Sequence, residues 1–378
     1  MRLNKIALLC RKEVVLKHLF KYLFIFSILF TLAGCTHPNT EETTPTTIPS
    51  IEETSYLVIP LTSGEVSPIS ACSYDLLHTV TSIQIFDSTD YTILNECFAV
   101  IDYYEKLFSR TLPDSEVYNI NHSNKTEFTI SNELKEILEL SLTYGKLTNG
   151  ALDISIAPLS SLWDFSSLEH KTTAPTKEEI EQALSLVNYA DISLKENELS
   201  FAKQGMQLEL GAVAKGYIAD KVKEFLLSKG VESAIINLGG NILLVGEKPD
   251  GTAFNVGIQK PFEDRDAVVV AICELKDMSM VSSGIYERYF YDENGTFYHH
   301  ILDSKTGYPC NTELLQVTII SKDSATGDAL STACFALGLE KGLKLINSIE
   351  DVYATFIGTD GTLYFSEGFI ENIPTRTE

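Results

Sequence analysis

Apolar side chains recur along the chain with two periods, one helical and one of two residues, and each predicts its own kind of element. Phe98, Ile101 and Phe108 stripe one face of a helix predicted over 92–109, and Leu134, Ile137, Leu138 and Leu142 do the same behind Ser131. Thr176-Lys-Glu-Glu179 has capping-box spacing, in which the Thr hydroxyl and the Glu carboxylate satisfy each other's backbone N–H groups. Ile180, Ala183, Leu184 and Val187 follow it at helical spacing. Runs rich in apolar and β-branched residues predict strands over 81–86, 191–194, 199–201, 207–210, 234–237, 242–245, 254–259, 268–275, 297–302 and 315–320. Lys195-Glu-Asn197 and Glu293-Asn-Gly295 are turn signals between neighbouring runs, as hairpins require. Helices and strands interleave without a regular βαβ rhythm, so the expected class is α+β, with mixed, largely antiparallel sheets and packed helices.

The N-terminal segment falls outside this pattern. Residues 1–21 carry six basic side chains (Arg2, Lys5, Arg11, Lys12, Lys17, Lys21) and one acid, Glu13, ahead of an apolar run from Tyr22 to Ala33. A basic stretch before an apolar run too short for a comfortable membrane span marks a secretory signal, with an uncleaved anchor helix as the alternative. Leu32-Ala-Gly-Cys35 resembles the bacterial lipoprotein signal box, which implies a lipid anchor at Cys35 and a place on the extracytoplasmic face of the cell membrane. Residues 36–70 are rich in Thr, Pro, Ser and Glu, and such a composition buries too little apolar surface to offset the entropy of ordering. The expected organisation is a signal peptide over 1–34, a flexible tether over 35–70 and a single folded domain over 71–370.

Charge sharpens that division. The 378 residues hold 29 Lys+Arg against 52 Asp+Glu, a net charge of −23; without residues 1–34 the balance is 23 against 51, or −28. Such a field repels a phosphate backbone and argues against nucleic-acid partners. Any anionic ligand must be held by local features instead. Of seven cysteines, Cys72, Cys97, Cys273, Cys310 and Cys334 fall in the domain, widely spaced, without a CxxC pair and odd in number. Small apolar core residues, with at most one disulfide, fit this better than a zinc site.

Four clusters place polar or glycine residues inside apolar surroundings. Thr148-Asn-Gly-Ala-Leu-Asp153 is followed by Trp163, which is either a stacking platform or a core residue. Glu209-Leu-Gly-Ala-Val-Ala-Lys-Gly-Tyr217 stands at a strand-to-helix junction, where unpaired N–H groups favour an anion and Lys215 can reach it; a tight packing turn is the alternative. The helix behind it runs through Val222, Phe225 and Leu226 to Gly230 as its cap. Gly239-Gly240 interrupts two strands as a bulge or a turn. The richest cluster joins Ser282-Ser-Gly284, Tyr286-Glu-Arg-Tyr289, His299-His-Ile-Leu-Asp-Ser-Lys-Thr-Gly-Tyr-Pro309 and Asp328-Ala-Leu-Ser-Thr332. His299 and His300 point to opposite faces of a strand, so they are not joint ligands of one metal, but one of them suits a general base with Asp303 nearby. Asp328 and Thr332 share a helix face and can together hold a hard cation, unless Asp328 merely caps a helix over 329–337.

Taken in order, these motifs resemble the ApbE family of FAD:protein FMN transferases over about 74–338. The resemblance implies an Mg2+-dependent enzyme that takes FAD as substrate, attaches FMN to a Thr or Ser hydroxyl of a target protein and releases AMP. The target in such families is often a membrane electron-transfer subunit. By position, Leu77, Ala151, Leu152, Asp153, Glu209, Lys215 and Leu302 would line the flavin-nucleotide site. The Ala212 carbonyl, Asp328 and Thr332 would hold Mg2+, and His300 would be the base. The chain departs from the family pattern at Glu209, at Ala212, at Leu77-His78-Thr79, at Ser304 and at Ser331. Two alternatives are an FAD pyrophosphatase that uses water as acceptor and a non-enzymatic FAD- or solute-binding lipoprotein.

Overall fold

The computed structural model describes residues 56–62, 67–166, 173–263 and 268–377. The signal peptide, Cys35 and most of the expected tether lie outside the described residues. The strands are β1 (Ile59–Pro60), β2 (Ile69–Ser73), β3 (Thr81–Ile85), β4 (Glu127–Thr129), β5 (Ile192–Lys195), β6 (Glu198–Phe201), β7 (Ser233–Leu238), β8 (Asn241–Gly246), β9 (Phe254–Gln259), β10 (Val269–Leu275), β11 (Ser279–Gly284), β12 (Tyr289–Tyr291), β13 (Phe297–His299), β14 (Leu314–Ser321), β15 (Tyr353–Gly358), β16 (Leu363–Phe365) and β17 (Thr375–Thr377). The helices are α1 (Tyr91–Phe108), α2 (Glu116–Asn121), α3 (Asn132–Leu147), α4 (Ala157–Trp163), α5 (Lys177–Leu184), α6 (Ala214–Ser228), α7 (Ser324–Leu337), α8 (Leu339–Ile346) and α9 (Phe369–Asn372).

The α+β expectation holds. A nine-stranded sheet runs β1-β2-β3-β7-β8-β11-β14-β15-β16, and β17-β10-β9, β12-β13 and β4-β6-β5 form smaller sheets. Neighbouring strands in all four pair antiparallel. Because side chains alternate across a strand, the large sheet has two apolar faces. Leu243 and Val245 of β8 join the core that contains α1 and α6, and Val317 and Ile319 of β14 join Leu330, Cys334 and Phe335 of α7. Leu244, Ile320 and Ile357 turn the other way, onto Phe254, Ile258 and Cys273 of the β9–β10–β17 sheet. The result is three layers, helices on sheet on sheet, with the domain's chemistry-bearing turns on the helix side.

Local signals gave most elements their place. The capping box forms as expected, Thr176 accepting from the Glu179 N–H and Glu179 from the Thr176 N–H, and α5 follows it. Glu196-Asn197 closes the β5–β6 hairpin, with Glu196 at φ 50°. Gly239-Gly240 makes a two-residue hairpin rather than a bulge, both residues at positive φ, as a primed turn requires.

Other expectations change. Residues 59–60 and 69–70, placed in the tether by composition, supply β1 and the start of β2, so ordered chain begins upstream of Ala71. Residues 207–210 make a single parallel bridge, Ile156 to Gln207, instead of a strand. The strand predicted over 297–302 ends at His299, because the chain from there folds back through the Leu302–Pro309 bridge. The five domain cysteines are buried, and none is in a disulfide among the described residues. Burial pushes the Cys310 and Cys334 thiols up to about 12, which leaves them protonated and unreactive.

The closest packing lies between α6 and α7. A Cβ on Gly216 would stand 2.3 Å from the Ser324 carbonyl oxygen and 2.7 Å from Ala325 Cα, both backbone atoms that cannot swing away. Gly216→Ala is therefore expected to destabilise the domain by roughly 1–3 kcal/mol or more, the usual cost of overpacking; an unchanged urea midpoint would show that the two helices can part freely.

Candidate functional site

The site is built around the start of α6. Its N-terminal residue position, Val213, provides no side-chain cap. The missing acceptor comes from α7: Asp328, buried in that helix, takes the Gly216 N–H on Oδ2 at 2.9 Å. Since α7 begins at Ser324, Asp328 lies inside the helix and does not cap it. Within α6 the next N–H, from Tyr217, bonds the Val213 carbonyl at 3.0 Å, and the Ala214 N–H bonds the Leu210 carbonyl at 2.8 Å. Of the two carbonyls between them, Gly211 takes the Lys215 ammonium, and Ala212 is left without the donor that helical geometry would give it, because Gly216 has turned to Asp328.

Lys215 completes this corner. Its Nζ donates to the Gly211 carbonyl at 3.2 Å and lies 3.7 Å from Asp328 Oδ1. Thr332, one turn beyond Asp328, shares a hydrogen bond with Ser283 of β11 at 3.1 Å, and Ser283 also meets Ser331 at 2.8 Å. Ser331 in turn donates to the Asp328 carbonyl at 3.0 Å, so its hydroxyl is spent on the helix and the sheet. Among the described residues no group of three or more His, Cys, Asp or Glu side chains could hold a metal ion. What the corner offers instead is oxygen of three kinds, a carbonyl, a carboxylate and a hydroxyl, which is chemistry suited to a hard cation.

The two histidines take different surroundings, His299 at the end of β13 and His300 just beyond it. His299 is buried, takes the Ile301 N–H on Nδ1 at 3.3 Å and donates from Nε2 to the Cys310 carbonyl at 3.0 Å. It is a core residue with both ring nitrogens spent. His300 is half-buried, with Nδ1 3.3 Å from the Arg288 carbonyl. A carbonyl can only accept, so Nδ1 carries the proton and Nε2 keeps its lone pair. Burial first, then the nearby charge of Arg288, the His299 ring and Lys215, lower its pKa. The ring is neutral near pH 7.

The remaining sequence candidates fall into three groups. Ala151 and Leu152 sit in the turn after α3, with Asn149 and Gly150 at positive φ, and Ser304 beside Leu302 donates to the Gly150 carbonyl at 2.6 Å. That bond joins the first cluster to the fourth. Asp153 instead turns inward: its carboxylate takes the Ser155 N–H at 2.8 Å, the Ser155 hydroxyl at 2.6 Å and the Tyr189 N–H at 2.9 Å, and burial raises its pKa. Glu209 pairs with Arg110 and takes the Gly211 N–H at 3.1 Å, which holds the approach to α6 in place. Leu77, at φ 55°, lies in the turn between β2 and β3 and is fixed to α1 through its N–H, which bonds Glu105 at 3.0 Å.

Two expected partners take structural roles. Asp303 does not serve a histidine; its oxygens take the Lys305 N–H at 2.9 Å and the Thr306 hydroxyl at 3.0 Å and so close the turn. Trp163 is fully buried against Phe165 and Tyr298, and its indole N–H donates to the Gly307 carbonyl at 2.8 Å, so it supports the 302–309 turn from beneath. Ser283 and Arg288 belong to motifs visible in the sequence, whereas Arg110 and Asp220 lie outside them. Of these last two, Asp220 alone carried a readable signal, a carboxylate four residues after Gly216 among apolar helix positions.

Both histidines have depressed pKa values, so the unfolded chain binds more protons than the folded one as pH falls below 6.5. Stability contributed by the neutral rings is therefore present above pH 6.5 and lost progressively on acidification below it. Denaturant midpoints measured from pH 7 to pH 4 are expected to fall less steeply in His300→Gln than in the wild type; parallel curves would contradict a His300 pKa lowered by folding.

Comparison with known proteins follows the same residues. The model of the ApbE family matches residues 77–356. An FAD:protein FMN transferase of Klebsiella pneumoniae (strain 342) is 37% identical over 273 residues, covering 71% of this chain and 83% of the relative. One from Treponema pallidum (strain Nichols) is 31% identical over 298 residues, covering 74% and 81%. The solved structure of the flavin transferase ApbE from Vibrio cholerae superposes with a TM-score of 0.71 at 26% identity, covering 84% of this chain and 99% of that one. With the family model spanning most of the chain and the folded domain superposing throughout, this protein belongs to the ApbE family.

Proposed function

We propose that this transferase moves FMN from FAD to a Thr or Ser hydroxyl of an acceptor protein, with Mg2+ bound at the α6–α7 corner, and releases AMP. The observation that carries the reading is the Gly216 N–H turned to Asp328 instead of the Ala212 carbonyl, which leaves that carbonyl, the Asp328 carboxylate and, one turn further along α7, the Thr332 hydroxyl as oxygen donors. These donors fit Mg2+, a hard cation that takes oxygen ligands. When bound there, Mg2+ would neutralise pyrophosphate charge and stabilise the departing AMP. Relatives named FAD:protein FMN transferase support the choice of flavin substrate.

The chain's own residues divide the remaining work. Lys215 sets a positive charge beside the helix start, where the pyrophosphate is received. Ala151 would meet the flavin in the turn that the Gly150–Ser304 bond fixes, while Leu152 and Leu302 are buried in the core and support that turn by packing. Arg288 holds His300 through its carbonyl, so that Nε2 faces the acceptor hydroxyl and takes its proton as the oxygen attacks the FMN phosphorus. The new O–P bond forms as the P–O bond to AMP breaks, in line. Lipidation at Cys35 would hold the domain on the extracytoplasmic face of the membrane, within reach of a membrane electron-transfer subunit as acceptor.

The direct test is to incubate the protein with FAD, Mg2+ and a candidate acceptor and weigh the acceptor: a covalent FMN adduct is expected, whereas FMN and AMP free in solution would assign a pyrophosphatase. His300→Ala is expected to bind FAD as the wild type does yet lose transfer by roughly 10²–10⁴-fold, the usual contribution of a general base; wild-type turnover in that variant would remove His300 from the mechanism. Cys35→Ser is expected to move the protein from the membrane fraction to the soluble fraction; retention on the membrane would point to the uncleaved anchor helix instead.

A further inference from the structure

The N-terminus of α7 has no acceptor of its own. Its cap residue, Asp323, makes no side-chain bond to the helix, and there is no acid in its first turn. The first two N–H groups of the helix, from Ser324 and Ala325, go instead to Asp220 of α6, at 2.8 Å on Oδ1 and 2.9 Å on Oδ2. Asp220 lies four residues after Gly216, on the same face of α6. Gly216 in turn gives its N–H to Asp328, four residues after Ser324 on α7. Each helix therefore supplies the carboxylate that the other helix start needs, and the two contacts stand one turn apart on both helices.

This reciprocity fixes more than contact. Residues advance about 1.5 Å along a helix axis, so slippage of α7 by a single residue would carry Asp328 and Thr332 away from the Ala212 carbonyl by about that distance. Gly216 sets how near the helices come, and the Asp328 bond alone would let α7 pivot about one point. Asp220 adds the second point. Ser324 strengthens it from the sheet side, donating to Asn241 at 2.6 Å and accepting from Ser279 at 3.0 Å.

We propose that Asp220 is a positioning residue for the cation site, holding α7 in axial register so that Asp328 and Thr332 meet the Ala212 carbonyl. It touches neither substrate nor metal, and the inference rests on the Mg2+ reading above. The test measures Mg2+ binding by calorimetry on the full folded protein without FAD, with Asp220→Ala, Asp220→Asn and Asp328→Ala beside the wild type. Phe254→Leu, in the core of the β9–β10–β17 sheet, serves as a control for lost stability in general. Asp220→Ala is expected to weaken Mg2+ binding at least tenfold. Asp220→Asn, which keeps one acceptor oxygen, falls between it and the wild type. Phe254→Leu should lower the melting temperature without altering Mg2+ affinity. Wild-type Mg2+ affinity in both Asp220 variants, with binding lost in Asp328→Ala, would overturn the positioning role and leave the cation site standing. An affinity loss in Phe254→Leu equal to that in Asp220→Ala would reduce Asp220 to a stability effect and overturn the role as well. Absence of binding to the wild type, or an unchanged affinity in Asp328→Ala, would overturn the cation site itself and the positioning role with it.

Discussion

The approach of α6 to α7 is the constraint on which the rest of the site depends. It requires a residue without a side chain at Gly216, where any Cβ would strike the backbone of α7. It also requires a carboxylate to receive the N–H that this approach exposes, and Asp328 provides it. Hydrogen bonds to charged groups are worth about 1.5–3 kcal/mol each; at Asp220 the cost of burying the carboxylate, which raises its pKa to about 6, offsets that gain, so its contact fixes geometry more than it adds stability. The same arrangement that joins two helices strips the Ala212 carbonyl of its partner, and structure and proposed chemistry thus share one cause.

The sheet layers serve this contact from behind. Strand β11 carries Ser283 to Thr332, and β8 carries Asn241 to Ser324, so the buried polar groups of the sheet are spent on fixing α7. On the other side, the turn over 302–309 is closed by Asp303 and braced by Trp163. That turn follows directly from the β12–β13 hairpin, whose end holds His300 through Arg288. Helices α6 and α7 position Lys215, Asp328 and Thr332, while His300 and Ala151 are held in turns by hydrogen bonds to neighbouring elements.

What the sequence disclosed followed the range of the interaction concerned. The capping box at Thr176 and the stripes of α1 and α3 are local, and they were legible. Strands β11 and β15 were not, because β15 is nearly continuous buried chain without alternation and β11 carries hydroxyls at Ser279, Ser282 and Ser283, out of strand period, that find partners only in three dimensions. Asp303 resembled a catalytic acid because an Asp that closes a turn and one that polarises a histidine look alike in one dimension. The site motifs were visible through their glycines and charges, yet the exchange of carboxylates between α6 and α7 was not, since residues 216 and 328 are joined only by the fold. For the same reason Asp220 passed unnoticed although its helix did not.

The acidity of the chain gives these local contacts their weight. A net charge of −23 over the whole sequence offers no general attraction to a pyrophosphate. Recognition then falls to one helix start, one lysine and the cation that the α6–α7 corner is proposed to hold. The most direct measurement is an FAD titration, followed by flavin fluorescence, in the presence of Mg2+ and again with a chelator. Affinity is predicted to fall at least about tenfold, or ~1.4 kcal/mol, when the metal is withdrawn. Equal affinity under both conditions would contradict a site whose anion binding depends on the cation.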